Sequence, residues 1–217
     1  MNISGIAQAR YTTKAFDRNR KIPADQVSQL RDLLRYAPSS VNSQPWHYVM
    51  SGSEEGKARI AKSTSAAYAF NTPKIQNASH VVVFCARHDM DESHFASLLA
   101  QEQKDGRFAT EQARQGQDNG RRFFVDLNRQ SSTGVSAWIE KQVYLSLGTL
   151  LLGAGVLGID ACPMEGFDAA ILDSELNLTA RGLRSVAVVA LGYRHPDDAN
   201  AKTPKSRLDE HLIFTDI

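Results

Sequence analysis

The sequence predicts a mixed α/β domain in which helices flank a central sheet. Two continuous apolar runs, residues 80–86 (HVVVFCA) and 185–191 (SVAVVAL), have the length and composition of strands that are buried on both faces. Residues 24–37 instead repeat their apolar side chains at the spacing of an amphipathic helix. Strands and helices of this kind pack as layers around one core, and a chain of 217 residues is long enough to bury it. We therefore expect a single domain over residues 1–217.

The remaining elements follow in chain order. Helix 24–37 is expected to end at Pro38, because the residue before a proline is disfavoured in the helical conformation. The patterns then predict a strand at 47–51, helices at 54–62, 91–104, 110–129 and 143–159, and a short strand at 212–216. Helix 143–159 is apolar nearly all round, so we expect it to be fully buried. The tail strand has no hairpin partner beside it in the chain.

Charge and composition argue against several classes of protein. The chain has 25 basic and 24 acidic residues, a balance that does not suit a protein held on nucleic acid by bulk electrostatics. The apolar segment 143–159 is short for a membrane span, and the first residues lack the features of a signal peptide. Cys85 and Cys162 are far apart and lack metal-ligand spacing, and two lone thiols suit a reducing compartment. We expect a cytoplasmic protein with no nucleic acid, membrane or metal.

Two short basic segments are candidates for binding an anion. In RYTTK at 10–14, an extended backbone would direct Arg10, Thr12 and Lys14 to one side. In KSR at 205–207, two cations repeat that spacing after a proline that favours an extended backbone. Cations that flank a hydroxyl suit a phosphate or carboxylate. Each segment taken alone is also explained by basic residues on a solvated surface.

Two polar turns are further candidates for a ligand site. NTPK at 71–74 follows Tyr68 and Phe70, and MEGFD at 164–168 follows the apolar helix. Gly166 would let the backbone approach a ligand closely. Asp168 has a second interpretation as the N-cap of a following helix. The chain has no GxxxxGK[ST], HExxH or GxSxG motif. Its one GxGxxG match, GAGVLG at 153–158, lies inside the apolar helix and not after a strand, so it does not indicate a dinucleotide site.

Taken together, these segments resemble the oxygen-insensitive, FMN-dependent nitroreductases of enteric bacteria, from end to end of the chain. That family also includes flavin and dihydropteridine reductases. The segments that carry the resemblance are TKAFD at 13–17, PSSVNSQPWH at 38–47, EEGKAR at 54–59, ASHVVVFCA at 78–86, DGRFAT at 105–110, KQVYL at 141–145, EGFDAAILD at 165–173 and PKSRL at 204–208.

The resemblance implies an α+β fold with a central, mainly antiparallel sheet. It also implies a homodimer in which FMN lies between the subunits and each tail, residues 211–217, is exchanged with the partner. The helices at about 91–130 would form an excursion over the active site. This arrangement would explain the polar loop APSSVNSQPWHY at 37–48, because the loop would contact the flavin of the other subunit.

The resemblance also implies roles for individual residues. The implied cofactor-binding residues are Arg10, Tyr11, Thr12, Lys14, Pro38, Ser39, Ser40, Asn42, Asn71, Lys74, Gln142, Leu145, Pro163, Met164, Glu165, Gly166, Lys205 and Arg207. The implied residues for substrate and NAD(P)H are Lys14, Val41, Tyr68, Phe70, Asn71, Lys74, Arg107 and Phe124. Within the first set, Arg10, Thr12, Lys205 and Arg207 would hold the phosphate and ribityl chain. Backbone N–H groups at Glu165 and Gly166 would approach flavin N5.

The implied reaction is ping-pong. NADH or NADPH would reduce FMN and leave, and a nitroaromatic compound or a quinone would then take two electrons at the same flavin face. Because the hydride chemistry belongs to the cofactor, no catalytic residue of the protein is expected. We find no element that would read the 2′-phosphate of NADPH, so we expect both nucleotides to be used within roughly tenfold of each other.

This sequence departs from the family pattern at several positions. Tyr11 stands where a histidine is common, Thr12 where a serine is, Val41 for a threonine and Met164 for an isoleucine. Substrate preference is therefore open. A flavin, quinone or dihydropteridine reductase remains an alternative, as does a flavin-binding protein without turnover. For Phe123, beside Phe124, we expect ordinary core packing.

Overall fold

The computed structural model describes residues 2–217 and contains one four-stranded sheet with helices on both faces. The strands are β1 (Trp46–Ser51), β2 (His80–Arg87), β3 (Asp160–Met164) and β4 (Leu183–Gly192). The helices are α1 (Ile3–Ala9), α2 (Ala24–Arg35), α3 (Glu54–Ala61), α4 (Thr72–Asn77), α5 (Glu92–Lys104), α6 (Glu111–Arg129), α7 (Gly134–Val156) and α8 (Ala169–Glu175). Short 3₁₀ turns include Ser40–Asn42, Ala66–Asn71, Ala199–Lys202 and Glu210–Leu212.

The sheet is antiparallel throughout, with the strand order β1-β2-β4-β3. The two apolar runs form the central pair, β2 and β4, so the prediction that they are buried strands is confirmed. At the β3 edge, an isolated parallel bridge joins Thr12 to Ala161. Within residues 2–217, the outer edge of β1 pairs with no other strand. The predicted α+β class with a mainly antiparallel sheet is therefore confirmed.

Alternation along the strands divides the core into two layers. Val82 and Phe84 of β2 face the layer that contains α2 and α7, while Val81, Val83 and Cys85 face the other layer. The second layer is closed by side chains of α3, α4 and α8: Ile60, Ile75 and Leu172. All of the β2 side chains between its two end residues are buried, which is why this strand reads as one apolar run.

Most of the predicted helices are present with small shifts at their ends. The helices expected at 24–37, 54–62, 91–104 and 110–129 correspond to α2, α3, α5 and α6. Asp168 is the N-cap of α8, since its Oδ1 accepts a hydrogen bond from the N–H of Ile171 at 3.0 Å. Among residues 2–217, no helix combines the length and the apolar character that crossing a membrane requires.

Three structural predictions are wrong in this chain. Residues 212–216 do not form a strand, because a strand needs a ladder partner; a 3₁₀ turn at Glu210–Leu212 leads into irregular, exposed chain. Helix α7 starts at Gly134 and is not fully buried, since Leu145 on its outer face is 50 % exposed. Phe123 does not pack in the core but is 59 % exposed on α6.

Candidate functional site

The two basic segments singled out in the sequence meet in space. Arg10, Thr12, Lys205 and Arg207 line one pocket of about 290 Å³, together with Tyr11 and Asn200. Burial lowers the pKa of the Lys205 ammonium, and the nearby cations of Arg10 and Arg207 lower it further. Within residues 2–217, none of these three cations forms an ion pair with a carboxylate. The pocket therefore presents uncompensated positive charge, which suits an anion.

Backbone pairing holds the first basic segment against the sheet. Thr12 bridges Ala161 of β3, and the N–H of Thr13 donates to the Ala161 carbonyl at 3.1 Å. Thr13 is buried while Thr12 faces the pocket, as alternation along an extended chain requires. Lys14 is not in the pocket lining. Its charge instead acts on Lys74 and Cys162, so the two halves of the 10–14 segment serve different places.

A second cluster joins the two polar turns. The Lys74 ammonium donates to Asn71 Oδ1 at 2.6 Å, and Asn71 Nδ2 donates to the Gly166 carbonyl at 2.8 Å. Lys74 Nζ also lies 4.9 Å from the centroid of the Phe70 ring. A Cβ at position 166 would stand 2.8 Å from Asn71 Nδ2 and 3.2 Å from Cδ1 of Tyr68. A glycine at this position therefore lets the side chains of Asn71, Tyr68 and Phe70 pack against the backbone of the turn.

Positive charge dominates around this cluster. Burial lowers the pKa of Lys74, and the Lys14 cation lowers it further, while Cys162 opposes both. Burial raises the pKa of the Cys162 thiol, although the two lysines oppose the shift. On the other side of the turn, the Tyr144 hydroxyl donates to Glu165 Oε1 at 2.5 Å. Burial and this carboxylate raise the pKa of Tyr144 to about 12, so the hydroxyl keeps its proton at neutral pH.

Pro163 and Met164 lead into this turn from β3. Pro163 lies opposite Val189 in the ladder, and Met164 belongs to the core layer with 6 % exposure. Their side chains therefore fix the start of the turn. The next two residues, Glu165 and Gly166, carry the backbone N–H groups that the sequence singles out.

The polar loop between α2 and β1 is held from inside the same chain. We call residues 38–44 the αβ loop. Its Ser40 N–H donates to Gln142 Oε1 of α7 at 2.9 Å, and its Gln44 N–H donates to Ser39 Oγ at 3.0 Å. Val41, Asn42 and Gln44 have φ values of 50°, 52° and 43°. This left-handed conformation is costly for residues other than glycine, so the surrounding contacts must impose it.

A buried ion pair supplies the strongest of those contacts. Glu102 of α5 and Arg121 of α6 pair at 2.6 Å, and both are almost fully buried. Glu102 Oε1 also accepts from Asn42 Nδ2 at 2.8 Å, while Arg121 Nε donates to the Val41 carbonyl at 3.1 Å. His94 Nε2 lies 2.8 Å from the Ser43 carbonyl and must donate to it. Arg107, a predicted nucleotide contact, lies 4.0 Å from Glu102 and is 55 % exposed.

The remaining predicted residues are exposed, except Tyr68, which is partly buried. Leu145 lies on the outer face of α7 and Phe124 on α6. Tyr68 and Phe70 stand beside Gly166, but the ring that packs on Phe124 in the described chain is Phe123, with centroids 5.4 Å apart. Within residues 2–217, Phe124 therefore forms no ring pair with Tyr68 or Phe70.

Sequence reasoning missed several residues that organise these places: Glu102, Arg121, Tyr144, Asp198 and Asn200. All of them act through partners distant in the chain, for instance Asp198 with Tyr11 at 2.9 Å. No local pattern marks such residues. The stretches that contain Glu102 and Arg121 read as solvated helix, and only the pairing of the two charges makes their burial tolerable.

The structure combines an antiparallel sheet between helices with a cationic pocket and a lysine–asparagine–glycine cluster. These features indicate a flavin enzyme of the nitroreductase type. Residues 7–193 match the model of the nitroreductase family, and the chain belongs to this family.

Relatives and solved structures agree with this assignment. The chain is 48 % identical over 217 residues to an oxygen-insensitive NAD(P)H nitroreductase of Salmonella typhimurium, with 100 % of both chains covered. It is 33 % identical to the major NAD(P)H-flavin oxidoreductase of Aliivibrio fischeri, over 91 % of this chain and 90 % of that one. A crystal structure from Exiguobacterium sibiricum, described as a nitroreductase in complex with FMN, superposes with a TM-score of 0.81 at 22 % identity, covering 99 % and 97 % of the chains. This last likeness concerns the fold.

Proposed function

We propose that this chain is an FMN-dependent NAD(P)H oxidoreductase that reduces nitroaromatic compounds and quinones. The observation that carries the proposal is the uncompensated cationic pocket beside the Asn71–Lys74–Gly166 cluster, in a chain 48 % identical end to end to an oxygen-insensitive NAD(P)H nitroreductase. Bound FMN would supply the chemistry, accepting a hydride from NAD(P)H and delivering two electrons to the acceptor in a ping-pong sequence. The residues of the chain would bind, orient and provide charge.

The pocket formed by the two basic segments fits the phosphate end of FMN. Arg10, Lys205 and Arg207 supply three cations that have no carboxylate partner within residues 2–217, and Thr12 adds a hydroxyl donor. Charge-assisted hydrogen bonds from such groups are the strong ones in phosphate recognition. These four residues would hold the phosphate and the ribityl chain, with Tyr11 behind them.

The second cluster fits a flat ring that gains negative charge. Lys14 and Lys74 place two positive charges on one side, and Asn71 is held rigid between Lys74 and the Gly166 carbonyl. The glycine at position 166 brings Asn71, Tyr68 and Phe70 close to the turn, and a bound ring would meet the N–H groups of Glu165 and Gly166 there. Preorganised cations and N–H donors in a closed site stabilise developing charge without reorganising.

A homodimer is part of the proposal. The residues expected to reach a flavin from the partner subunit are Pro38, Ser39, Ser40, Asn42, Gln142 and Leu145. Within residues 2–217, no hydrogen bond joins this set to Lys14, Lys74 or Gly166. The outer face of α7 and the apolar tail side chains of Leu212, Ile213 and Phe214 are exposed in the single chain. A second copy that covers them would bury roughly 2,000 Å² or more, as obligate interfaces do.

The outer edge of β1 offers a place for the partner's tail. It borders a groove of about 690 Å³ that includes Arg31, Arg35 and Arg181. The tail ends in the apolar–acidic sequence LIFTDI, whose acidic end complements these arginines. An exchanged tail would then form the strand that residues 212–216 cannot form alone. The chain would remain a single domain over residues 1–217, with its 91–130 helices over the partner-facing loop.

The acceptor would bind above a group of aromatic side chains. Tyr68 and Phe70 flank Gly166, and Val41, Arg107 and Phe124 would complete the pocket for substrate and nucleotide. A second candidate function is reduction of free flavin, which is favoured by the 33 % identity to an NAD(P)H-flavin oxidoreductase. Both functions use the same cofactor site and differ only in the acceptor. The two buried, unpaired cysteines support a cytoplasmic location.

The test begins with the pigment of the purified protein. Acid precipitation followed by mass measurement should release FMN, and anaerobic NADH should bleach the yellow protein at once. Recovery of FAD, or protein that cannot be reconstituted with FMN, would refute the proposal. A flavoprotein that NADH does not bleach would be a binding protein. Values of kcat/KM for nitrofurans, quinones and free flavins, each with NADH and NADPH, then assign the acceptor.

A further inference from the structure

A hidden carboxylate joins the two basic segments of the anion pocket. Asp198 is 1 % exposed and lies just before the 3₁₀ turn Ala199–Lys202. Its Oδ2 accepts from the Tyr11 hydroxyl at 2.9 Å, and its two oxygens lie 3.4 and 3.3 Å from the backbone N of Lys14. Its Oδ1 also accepts from the N–H of Asn200 at 3.2 Å. One side chain therefore organises donors from both ends of the chain.

Asn200 adds a hydrogen bond in which a residue near the C-terminal basic segment donates to the N-terminal basic segment. Its side-chain Nδ2 donates to the Thr12 carbonyl at 2.7 Å, across 188 residues of sequence. Lys205 donates to the Ala7 carbonyl at 2.7 Å and to the Arg10 carbonyl. The segment that bears Lys205 and Arg207 is thus fastened to the segment that bears Arg10 and Thr12. Its position does not depend on the exposed tail that follows.

Asp198 lies behind the pocket lining, which Tyr11 and Asn200 form in front of it. A carboxylate exposed in the pocket would repel a phosphate, whereas a shielded one can orient the donors of the lining. The Tyr11 ring is fixed on its other side as well, because the Arg194 guanidinium lies 4.7 Å from its centroid and pairs with Asp160 at 2.6 Å. Tyr11 is therefore held at its hydroxyl and on its ring.

We propose that Asp198, acting through Tyr11 and Asn200, is a positioning residue that sets the spacing of the two basic segments and so makes the pocket selective for the phosphate of FMN over riboflavin. The inference rests on the proposed function, since it takes FMN as the ligand of this pocket. Riboflavin shares the ring and the ribityl chain and lacks only the phosphate. The ratio of the two affinities therefore reports on this pocket alone.

The experiment compares flavin-free protein titrated with FMN and with riboflavin, followed by flavin fluorescence. Tyr11→Phe removes the donor to Asp198 and should lower the FMN-to-riboflavin affinity ratio roughly tenfold, the effect of losing one hydrogen bond to a charged group. Asn200→Ala should lower the ratio too. Tyr11→His retains a ring N–H donor and should restore most of it. Tyr193→Phe, which removes a 3.3 Å hydrogen bond to Gln26, is the matched control and should leave the ratio unchanged.

A double mutant separates positioning from general damage. Asp198→Ala removes the acceptor of the Tyr11 hydroxyl, so Asp198→Ala together with Tyr11→Phe should lower the ratio no further than Asp198→Ala alone. Equal weakening of FMN and riboflavin, additive losses, or an unchanged ratio in both Tyr11→Phe and Asn200→Ala would overturn the positioning role. Wild-type protein that binds neither flavin would instead overturn the proposed function, and the positioning role with it.

Discussion

The αβ loop (residues 38–44) and the C-terminal tail (residues 211–217) are both expected to serve the flavin site, yet they are built in opposite ways. The loop is ordered by contacts from α5, α6 and α7, including the Glu102–Arg121 ion pair. In the tail every residue is exposed, and its large apolar side chains face outward. A buried ion pair holds the loop, whereas the tail is left exposed to solvent.

The difference indicates where each segment obtains its conformation. The loop carries three non-glycine residues at positive φ, and contacts within the chain hold them there. The tail has the sequence of a strand but pairs with no strand within residues 2–217. If a second copy supplies the missing ladder, as we propose, the tail should depend on that copy and the loop should not. Four predictions test this contrast, in order of decreasing effect.

The largest effect is expected from breaking the ion pair beneath the loop. Arg121→Met would leave Glu102 buried without its main partner and should lower the free energy of unfolding by about 3–5 kcal/mol. Arg122→Met is the matched control one residue along α6, where the half-exposed ion pairs with Glu92 and Asp118 contribute under about 1 kcal/mol. Urea unfolding measures both. Similar losses in the two variants would contradict the role given to Glu102.

Truncating the tail should act on assembly. Deletion of residues 211–217 removes Leu212, Ile213 and Phe214, and should raise the dissociation constant of the dimer at least roughly a hundredfold, the equivalent of one or two buried apolar side chains. Flavin occupancy should fall with it, because a ligand that binds the assembled form stabilises that form. Sedimentation and flavin absorbance on one sample measure both quantities. Ile171→Ser, an exposed apolar residue of α8, is the control. A truncated monomer with full FMN and turnover would refute this prediction.

The loop should also confer pH dependence. Burial lowers the pKa of His94, and Arg87 and Arg121 lower it further, against the hydrogen bond to Ser43 and the charge of Asp91. The unfolded chain takes up this proton near pH 6.5 while the folded chain does not, so the free energy of unfolding falls as pH drops below about 6.5. His94→Gln retains an N–H donor for the Ser43 carbonyl and should remove up to about 1.4 kcal/mol per pH unit of that decline. The tail variant His211→Gln is the control. An unchanged slope in His94→Gln would exclude this histidine as the source.

The smallest effect is expected from a single hydroxyl. Ser39→Ala removes the acceptor of the Gln44 N–H and should lower the free energy of unfolding by about 0.5–1 kcal/mol. Ser206→Ala makes the same change in the exposed segment before the tail, where the hydroxyl has no hydrogen-bond partner within residues 2–217, and should change nothing measurable. Thermal unfolding of flavin-free protein compares the two. Equal changes in the unfolding temperature of the two variants would show that the loop hydroxyl contributes no more to stability than an exposed one.

The elements that could be predicted from sequence are those whose cause is local. β2 and β4 are continuous apolar runs because both of their faces are buried, and α2 shows its apolar stripe. β3 was missed because Pro163 within DACPM argues against a strand, and it is tolerated because β3 lies at the sheet edge. The start of α7 was placed too late, since residues 134–142 mix polar and apolar side chains.

The site shows the same division. The basic segments and the NTPK and MEGFD turns could be found from residue type and spacing, and the structure brings them together in two clusters. Asp198 and Glu102 could not be found in this way, because an acidic residue in a polar stretch looks the same whether it is solvated or buried. Only the residues that contact such a carboxylate show whether it is buried, and those residues are distant in sequence. The predicted tail strand was wrong for a related reason, since no strand within residues 2–217 pairs with it.

The contacts of Glu102 restrict how the sequence of this enzyme can change during evolution. Its carboxylate serves the side chains of Asn42 and Arg121 at once, so a change at any one of the three leaves a buried polar group unmatched. Substitutions at these three positions therefore have to occur together, with compensating changes on α5, α6 and the loop. Within residues 2–217, no hydrogen bond links the side chains of Tyr68, Phe70 and Phe124 to one another. Each of them can therefore be substituted independently. Descendants of this chain should therefore explore new acceptors while the scaffold of the αβ loop stays the same.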